Sequence, residues 1–274
     1  MAKALAGAGA TKVYILGRRK EVLDQAASSH PSMTPIVCDV VSKDSLQAAV
    51  DTIAKESGHV NLVIANSGIV GPMARFNPDL SVSELRSTMF DGTSMDEFTN
   101  TQHVNVTGAY FTFLAFLELL DAGNKRALKG QGGFGAPVPG GSDDVPAVQS
   151  QVIFTSSISA YSRAWISSSA YASSKAAIAH LTKHAATNMA RHGIRVNAFA
   201  PGLFPSELAA GLIASRDPSK EGADELRFIP ARRFGGDEEM AGTTLYLASR
   251  AGAYCNGLIL VMDGGKLASM PSEY

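Results

Sequence analysis

The chain has 274 residues, 45% hydrophobic and 18% charged, with a formal net charge of −1. That is enough chain of ordinary globular composition for one sizeable core, and near-neutral charge gives no global field to gather nucleic acid or an anionic membrane surface. Its two cysteines, Cys38 and Cys255, lack metal-ligand spacing, and no charged stretch followed by an apolar signal core opens the sequence. A reducing, cytoplasmic setting, no metal and a small-molecule partner are therefore expected.

In chain order, residues 1–10 read as the second half of a helix that stops at Gly7-Ala8-Gly9 and leads directly into an apolar run at 13–16. Those glycines close a helix, whereas a phosphate-binding glycine turn must follow a strand and open one. The run at 13–16 ends in Gly17-Arg18-Arg19. Further short apolar runs lie at 36–38, followed by Asp39-Val40, and at 62–65, followed by Asn66-Ser67-Gly68; three more lie at 152–155, 194–199 and 258–262. Continuous apolar runs suit strands buried on both faces, and their alternation with longer helical patterns predicts an α/β fold with a parallel, doubly wound sheet in a single domain over 1–274. The most apolar helix, around 110–120, is too short to span a bilayer. Residues 123–150 hold seven glycines and three prolines with no apolar period, so they are read as a surface insertion.

The segment Tyr171-Ala172-Ser173-Ser174-Lys175, with Ser157 at the end of an apolar strand upstream, carries the chemistry. Positions four apart share a helix face, so the Lys175 ammonium is expected beside the Tyr171 phenol, where a fixed cation favours the phenolate and moves a tyrosine from its usual pKa of about 10 toward neutrality. Ser157 would hold the reacting oxygen, with Ser156 and Ser159 as rivals that merely cap the turn.

These strings resemble the short-chain dehydrogenase/reductase family over residues 1 to about 266. Ala65-Asn66-Ser67-Gly68 looks like its Asn-Asn-Ala-Gly strand end, and Val261-Met262-Asp263-Gly264-Gly265 like its terminal Val-Asp-Gly-Gly, spread by one residue. Asn105 matches the helical asparagine that joins Ser157, Tyr171 and Lys175 in a tetrad, and Pro201-Gly202 matches the turn beside the nicotinamide. The resemblance implies a Rossmann-like fold, lacking the first strand and its glycine-rich loop. It also implies a ketone–alcohol oxidoreductase in which Tyr171 is the acid or base, Asn105 holds a proton-relay water, Lys175 also reaches the cofactor ribose, and Asp39-Val40 contact the adenine. Asn105 has a plainer alternative, tying a helix to the sheet, and Asp39 one as a helix cap.

An NAD site places a carboxylate where this chain has Gly17-Arg18-Arg19, so NADP(H) is expected, with Arg18 and Arg19 on its 2′-phosphate. The apolar residues of 203–236 occupy the family's substrate lid and imply a hydrophobic carbonyl or alcohol substrate; the run Pro201-Gly202-Leu203-Phe204-Pro205-Ser206 is similar to fungal 3-oxoacyl carrier-protein reductase-like members. A homodimer or homotetramer packed through the helices of Asn105 and Tyr171 is implied. A dehydratase, isomerase or cyclase on the same scaffold, or a silent binding protein, are the rivals that the lack of a glycine loop keeps open. In the family's strand order that first strand is central. Its loss is expected to leave two unpaired ladders, a poorly folded or weakly NADPH-binding chain, and rescue by an upstream strand and loop.

Overall fold

The computed structural model describes residues 1–131 and 140–273. Six strands run β1 (Val13–Gly17), β2 (Met33–Val37), β3 (Leu62–Ala65), β4 (Gln151–Thr155), β5 (Arg195–Pro201) and β6 (Ile259–Met262). The helices are α1 (Ala2–Gly7), α2 (Lys20–Ala27), α3 (Lys43–Glu56), α4 (Val82–Arg86), α5 (Met95–Gln102), α6 (Ala109–Ala115), α7 (Leu117–Leu128), α8 (Ser169–Met189), α9 (Ala210–Ile213) and α10 (Asp237–Ala248), with a π-helical segment, His103–Gly108, joining α5 to α6.

The six strands pair in parallel, as continuous apolar runs separated by helices predict, and the antiparallel bridge Ser162–Ser272 lies outside them. Alternate residues of β4 face opposite layers. Val152 and Phe154 join Phe113, Ile178 and Val196 on one side, whereas Ile153 joins Phe199 and Leu247 on the other. The first layer is built from α3, α6, α7 and α8; the second holds α10 and, packed against it, α1. In α3, Ser42 caps the N-terminus by accepting from Ser45 N at 3.2 Å, and Leu46, Ala49 and Ile53 repeat at helical spacing to bury one face.

The strands do not form one sheet. β1 pairs only with β2, and β3–β4–β5–β6 form a separate four-stranded sheet. Between β1 and β3 runs a cleft of about 730 Å³ whose walls include Tyr14, Ile15, Leu16, Leu62 and Ile64. No strand among the described residues pairs with the facing edges of β1 and β3. This is the doubly wound parallel arrangement without its first strand, with the two unpaired ladders that were expected, and the break falls at the central position that the first strand of the family order would fill.

Smaller corrections follow from local geometry. The run expected at 36–38 is Met33–Val37, with Cys38 outside it; Pro35 hides the strand start from a propensity reading, yet β2 is an edge strand, where a residue without an N–H is tolerated. The segment read as an insertion from 123 is helical to Leu128. Gly123 and Asn124 are buried in α7, where Gly123 packs on the carbonyl of Val60 and Asn124 Oδ1 accepts from Ser150 N at 2.7 Å. Of the insertion's Gly/Pro cluster, residues 132–139 lie outside the described residues. The apolar helix around 110–120 is two helices broken at Phe116 (φ −95°, ψ 3°). Among the described residues no single helix is long and apolar enough to cross a membrane; α5 through α7 pass on length and apolarity only as a pair bent by 43°.

Candidate active site

The site lies beyond the C-terminal ends of β3, β4 and β5, the edge where open parallel sheets hold their ligands. Strand β4 ends at Thr155 and delivers Ser156 and Ser157 into a tight turn; α8 begins twelve residues later and lays Tyr171 and Lys175 against it. The two serines differ in role. Ser156 Oγ donates to the Lys175 carbonyl at 2.8 Å and is buried in the helix–strand contact. Ser157 faces the Tyr171 phenol closely enough to act on its pKa, and its hydroxyl accepts from Ser159 N at 3.1 Å.

The electrostatics of the pair differ from expectation. Burial raises the Tyr171 phenol above its ordinary value, and the Ser157 hydroxyl pulls it partly back. Lys175 Nζ lies 5.5 Å from the Tyr171 ring centroid and donates to Thr155 O at 2.8 Å. Burial lowers its own pKa to about 8. The expectation that Lys175 drives the phenol down is therefore corrected. Spacing brought the two residues together, but burial costs the phenolate more than an ammonium pointed at a carbonyl returns.

Asn105 sits on the π-helical segment, at 1% exposure, and clamps Ile69 from both sides. Its Oδ1 accepts from Ile69 N at 2.8 Å, and its Nδ2 donates to Ile69 O at 2.9 Å and to Ser174 Oγ at 2.9 Å. Single π turns recur at functional sites because they reorient one side chain in a helix. The two bonds to Ile69 are those of the plainer alternative, a tie between helix and strand end, and the third joins Asn105 to α8. A Cβ on Gly68 would stand 3.1 Å from Asn105 Oδ1 and 3.5 Å from Lys175 Nζ, so the missing side chain is what lets these three converge.

Around this centre, Asn66 and Ser67 are exposed at the end of β3, and Asn66 Oδ1 accepts from Thr155 Oγ1 at 3.0 Å. Gly202 N donates to Met262 O at 2.7 Å, and a Cβ on Gly202 would come within 2.8 Å of Asp263 Cα; this holds the Pro201-Gly202 turn against the end of β6. Asp39 Oδ1 accepts from Val41 N in a local turn, while the cap of α3 is Ser42 and not Asp39, and Val40 lines the same cleft as Ser67. Arg18 and Arg19 are exposed beyond β1. Arg18 has no partner among the described residues, whereas Arg19 is paired with Glu207.

Four residues of this site escaped the sequence reading: Thr155 and Ser156 as anchors of Lys175, Ser174 as the support of Asn105, and Glu207. For the first three the signal was adjacency to recognised positions; for Glu207 there was none, since it meets Arg19 across 188 residues. The segment 203–236 is held at both ends, with Gly235 N donating to Leu203 O at 3.0 Å and the ring of Phe204 packed on Gly235. Within it, Arg216 and Glu221 form a largely buried ion pair at 2.7 Å.

A parallel α/β sheet with this serine, tyrosine and lysine gathered at its C-terminal edge defines an oxidoreductase of the Rossmann class. Residues 1–129 match the family model described as short chain dehydrogenase, and residues 144–266 that described as Enoyl-(Acyl carrier protein) reductase. The chain is 62% identical over 275 residues to the short-chain dehydrogenase/reductase SAT3 of Stachybotrys chartarum, covering 100% of each. It also superposes on a short-chain type dehydrogenase/reductase from Mycobacterium marinum with TM-score 0.72 at 31% identity, covering 97% of this chain and 89% of that one. A gluconate 5-dehydrogenase from Beutenbergia cavernae with bound NADP gives TM-score 0.70 at 26% identity, covering 97% and 90%. The chain belongs to the short-chain dehydrogenase/reductase family.

Proposed function

We propose that this protein is an NADP(H)-dependent oxidoreductase that interconverts a ketone and a secondary alcohol. The convergence of Ser157, the half-buried phenol of Tyr171 and the amine of Lys175 at the end of β4 carries this reading. Residues fit a nicotinamide dinucleotide at both ends. Asn66, Tyr171, Lys175, Pro201 and Gly202 would receive the nicotinamide and its ribose, and Arg18 and Arg19 the 2′-phosphate, with Asp39, Val40, Ser67 and Gly68 between. The pyrophosphate has no glycine turn opening a helix among the described residues.

When bound, the cofactor supplies or accepts the hydride. Ser157 holds the substrate oxygen, and Tyr171, protonated at neutral pH, delivers its proton there in the direction of reduction. Lys175 replenishes Tyr171 and binds ribose hydroxyls, and Asn105 fixes the strand end beneath them. The apolar lid of 203–236 excludes water over a hydrophobic carbonyl or alcohol. The chain acts as a homodimer or homotetramer through the faces of α6 and α8, where Tyr110, Phe111, Ala177 and Leu181 line a shallow apolar groove. Cys38 and Cys255 are both free, in keeping with a cytoplasmic setting.

Equilibrium titration with NADPH and NADH, together with turnover of Tyr171→Phe, tests the assignment. The variant should bind NADPH as the parent does and lose at least ~100-fold in turnover, the lower range for loss of a general acid. Near-full turnover would remove Tyr171 from the chemistry. The lack of a described pyrophosphate cradle favours one second reading, a non-redox enzyme that uses Tyr171 as an acid; conversion of substrate without any change in nicotinamide absorbance would select it.

A further inference from the structure

Arg19 and Glu207 meet across the mouth of the site from opposite ends of the chain. Arg19 is the N-cap residue of α2, immediately beyond β1. Glu207 stands in the lid, in a turn fixed by Ser206 Oγ accepting from Ala209 N at 3.2 Å and by the burial of Ala209. Their contact is two-pronged, with Nη2–Oε2 at 2.7 Å and Nη1–Oε1 at 3.5 Å, the fork-to-carboxylate geometry that a guanidinium also offers a phosphate. Arg18 beside it has no partner among the described residues.

On the reading that the cofactor is NADP(H), we infer that Glu207 is a specificity-determining residue that competes with the 2′-phosphate for Arg19 and so couples cofactor charge to the lid. A guanidinium fork engaged by Glu207 cannot offer the same face to a phosphate, and the carboxylate repels that dianion as well. Arrival of the 2′-phosphate, first drawn by the free Arg18, displaces Glu207 and releases the tether of the lid at 203–209. A cofactor without that phosphate leaves the tether closed. By linkage, whatever holds the lid closed weakens the 2′-phosphorylated ligand by the same factor.

The pair is exposed, at 62% and 77% for the two side chains, so the coupling is modest and salt-sensitive. The test uses two probes that lack the nicotinamide half, adenosine 2′,5′-bisphosphate and adenosine 5′-monophosphate, with calorimetry and amide exchange at 205–210 as readouts. Glu207→Gln should tighten the bisphosphate about two- to fivefold and leave the monophosphate unchanged. The same substitution should have no effect on affinity when Arg19→Ala is already present. Exchange at 205–210 should rise in Glu207→Gln without ligand, and in the parent on adding the bisphosphate but not the monophosphate. If the parent prefers the bisphosphate yet Glu207→Gln changes neither its affinity nor the exchange, the latch is wrong and NADP(H) selection stands. If the parent binds both probes equally, the NADP(H) reading itself fails, and the inference with it.

Discussion

Strands β1 and β4 carry comparable apolar sequences, yet the structure treats them oppositely. In the four-stranded half, Val152, Ile153, Phe154, Val196, Ala198 and Phe199 are all at 0% exposure, layered on both faces and paired on both edges. In the two-stranded half every residue of β1 is only partly buried, and one edge opens on the cleft. Strand burial is thus set by neighbours in the ladder as much as by side-chain hydrophobicity. Unpaired N–H and C=O groups are tolerable at the cleft because water reaches them, whereas each would cost on the order of 1–3 kcal/mol if sealed dry. The proposed function follows the same division. The tight half holds Ser157, Tyr171 and Lys175, to which the proposed function gives the chemistry; the loose half holds Arg18 and Arg19, to which it gives the 2′-phosphate.

The largest consequence concerns local stability, since opening free energies span the range from near zero to that of global unfolding. Amides of β4 and β5 should exchange at least ~10³-fold more slowly than those of β1 and β2, a difference of about 4 kcal/mol. Equal protection by native-state exchange would mean that the two halves unfold as one unit. The same contrast is expected from one substitution made twice. Ile153→Ala, at a fully buried site, should cost about 4 kcal/mol, and Ile15→Ala, on the cleft wall, about 1 kcal/mol, as read from denaturant midpoints.

The tight half also holds a buried amine, and its contribution has a definite sign with pH. Lys175 has a folded pKa of about 8 against an ordinary 10.5, so it weakens the fold wherever the unfolded chain carries the proton. That penalty is complete below about pH 8 and fades as pH rises toward 10.5. Lys175→Met should therefore stabilise the protein by about 2 kcal/mol below pH 8, after allowing ~1 kcal/mol for the lost bond to Thr155, and by progressively less above it. A pH-independent difference between parent and variant would contradict the burial argument. A binding effect is expected in the loose half: Arg18→Ala should weaken NADPH about tenfold and leave NADH nearly unchanged, with equal losses for both counting against a role in reading the 2′-phosphate.

What the sequence alone determined is what short-range pattern encodes. Continuous apolar runs located all six strands to within a few residues, and the i,i+4 spacing placed Tyr171 and Lys175 on one helix face. The end of an apolar run put Ser157 beside them, and a glycine after a helical stretch marked the stop at Gly7. The reading failed where local composition conflicted with distant contacts: Gly123 sits inside a helix because the Val60 carbonyl leaves no room for a side chain, and Pro35 sits in a strand because that strand is an edge. Tertiary structure alone decided the rest. It turned the Lys175 amine toward the Thr155 carbonyl and raised the Tyr171 phenol where the spacing had suggested the opposite. It also paired Arg19 with a carboxylate 188 positions away. The physical reason is common to all three. Periodicity and propensity depend on residues within a turn or two, whereas burial, edge pairing and ion pairing depend on which surfaces the folded chain brings together.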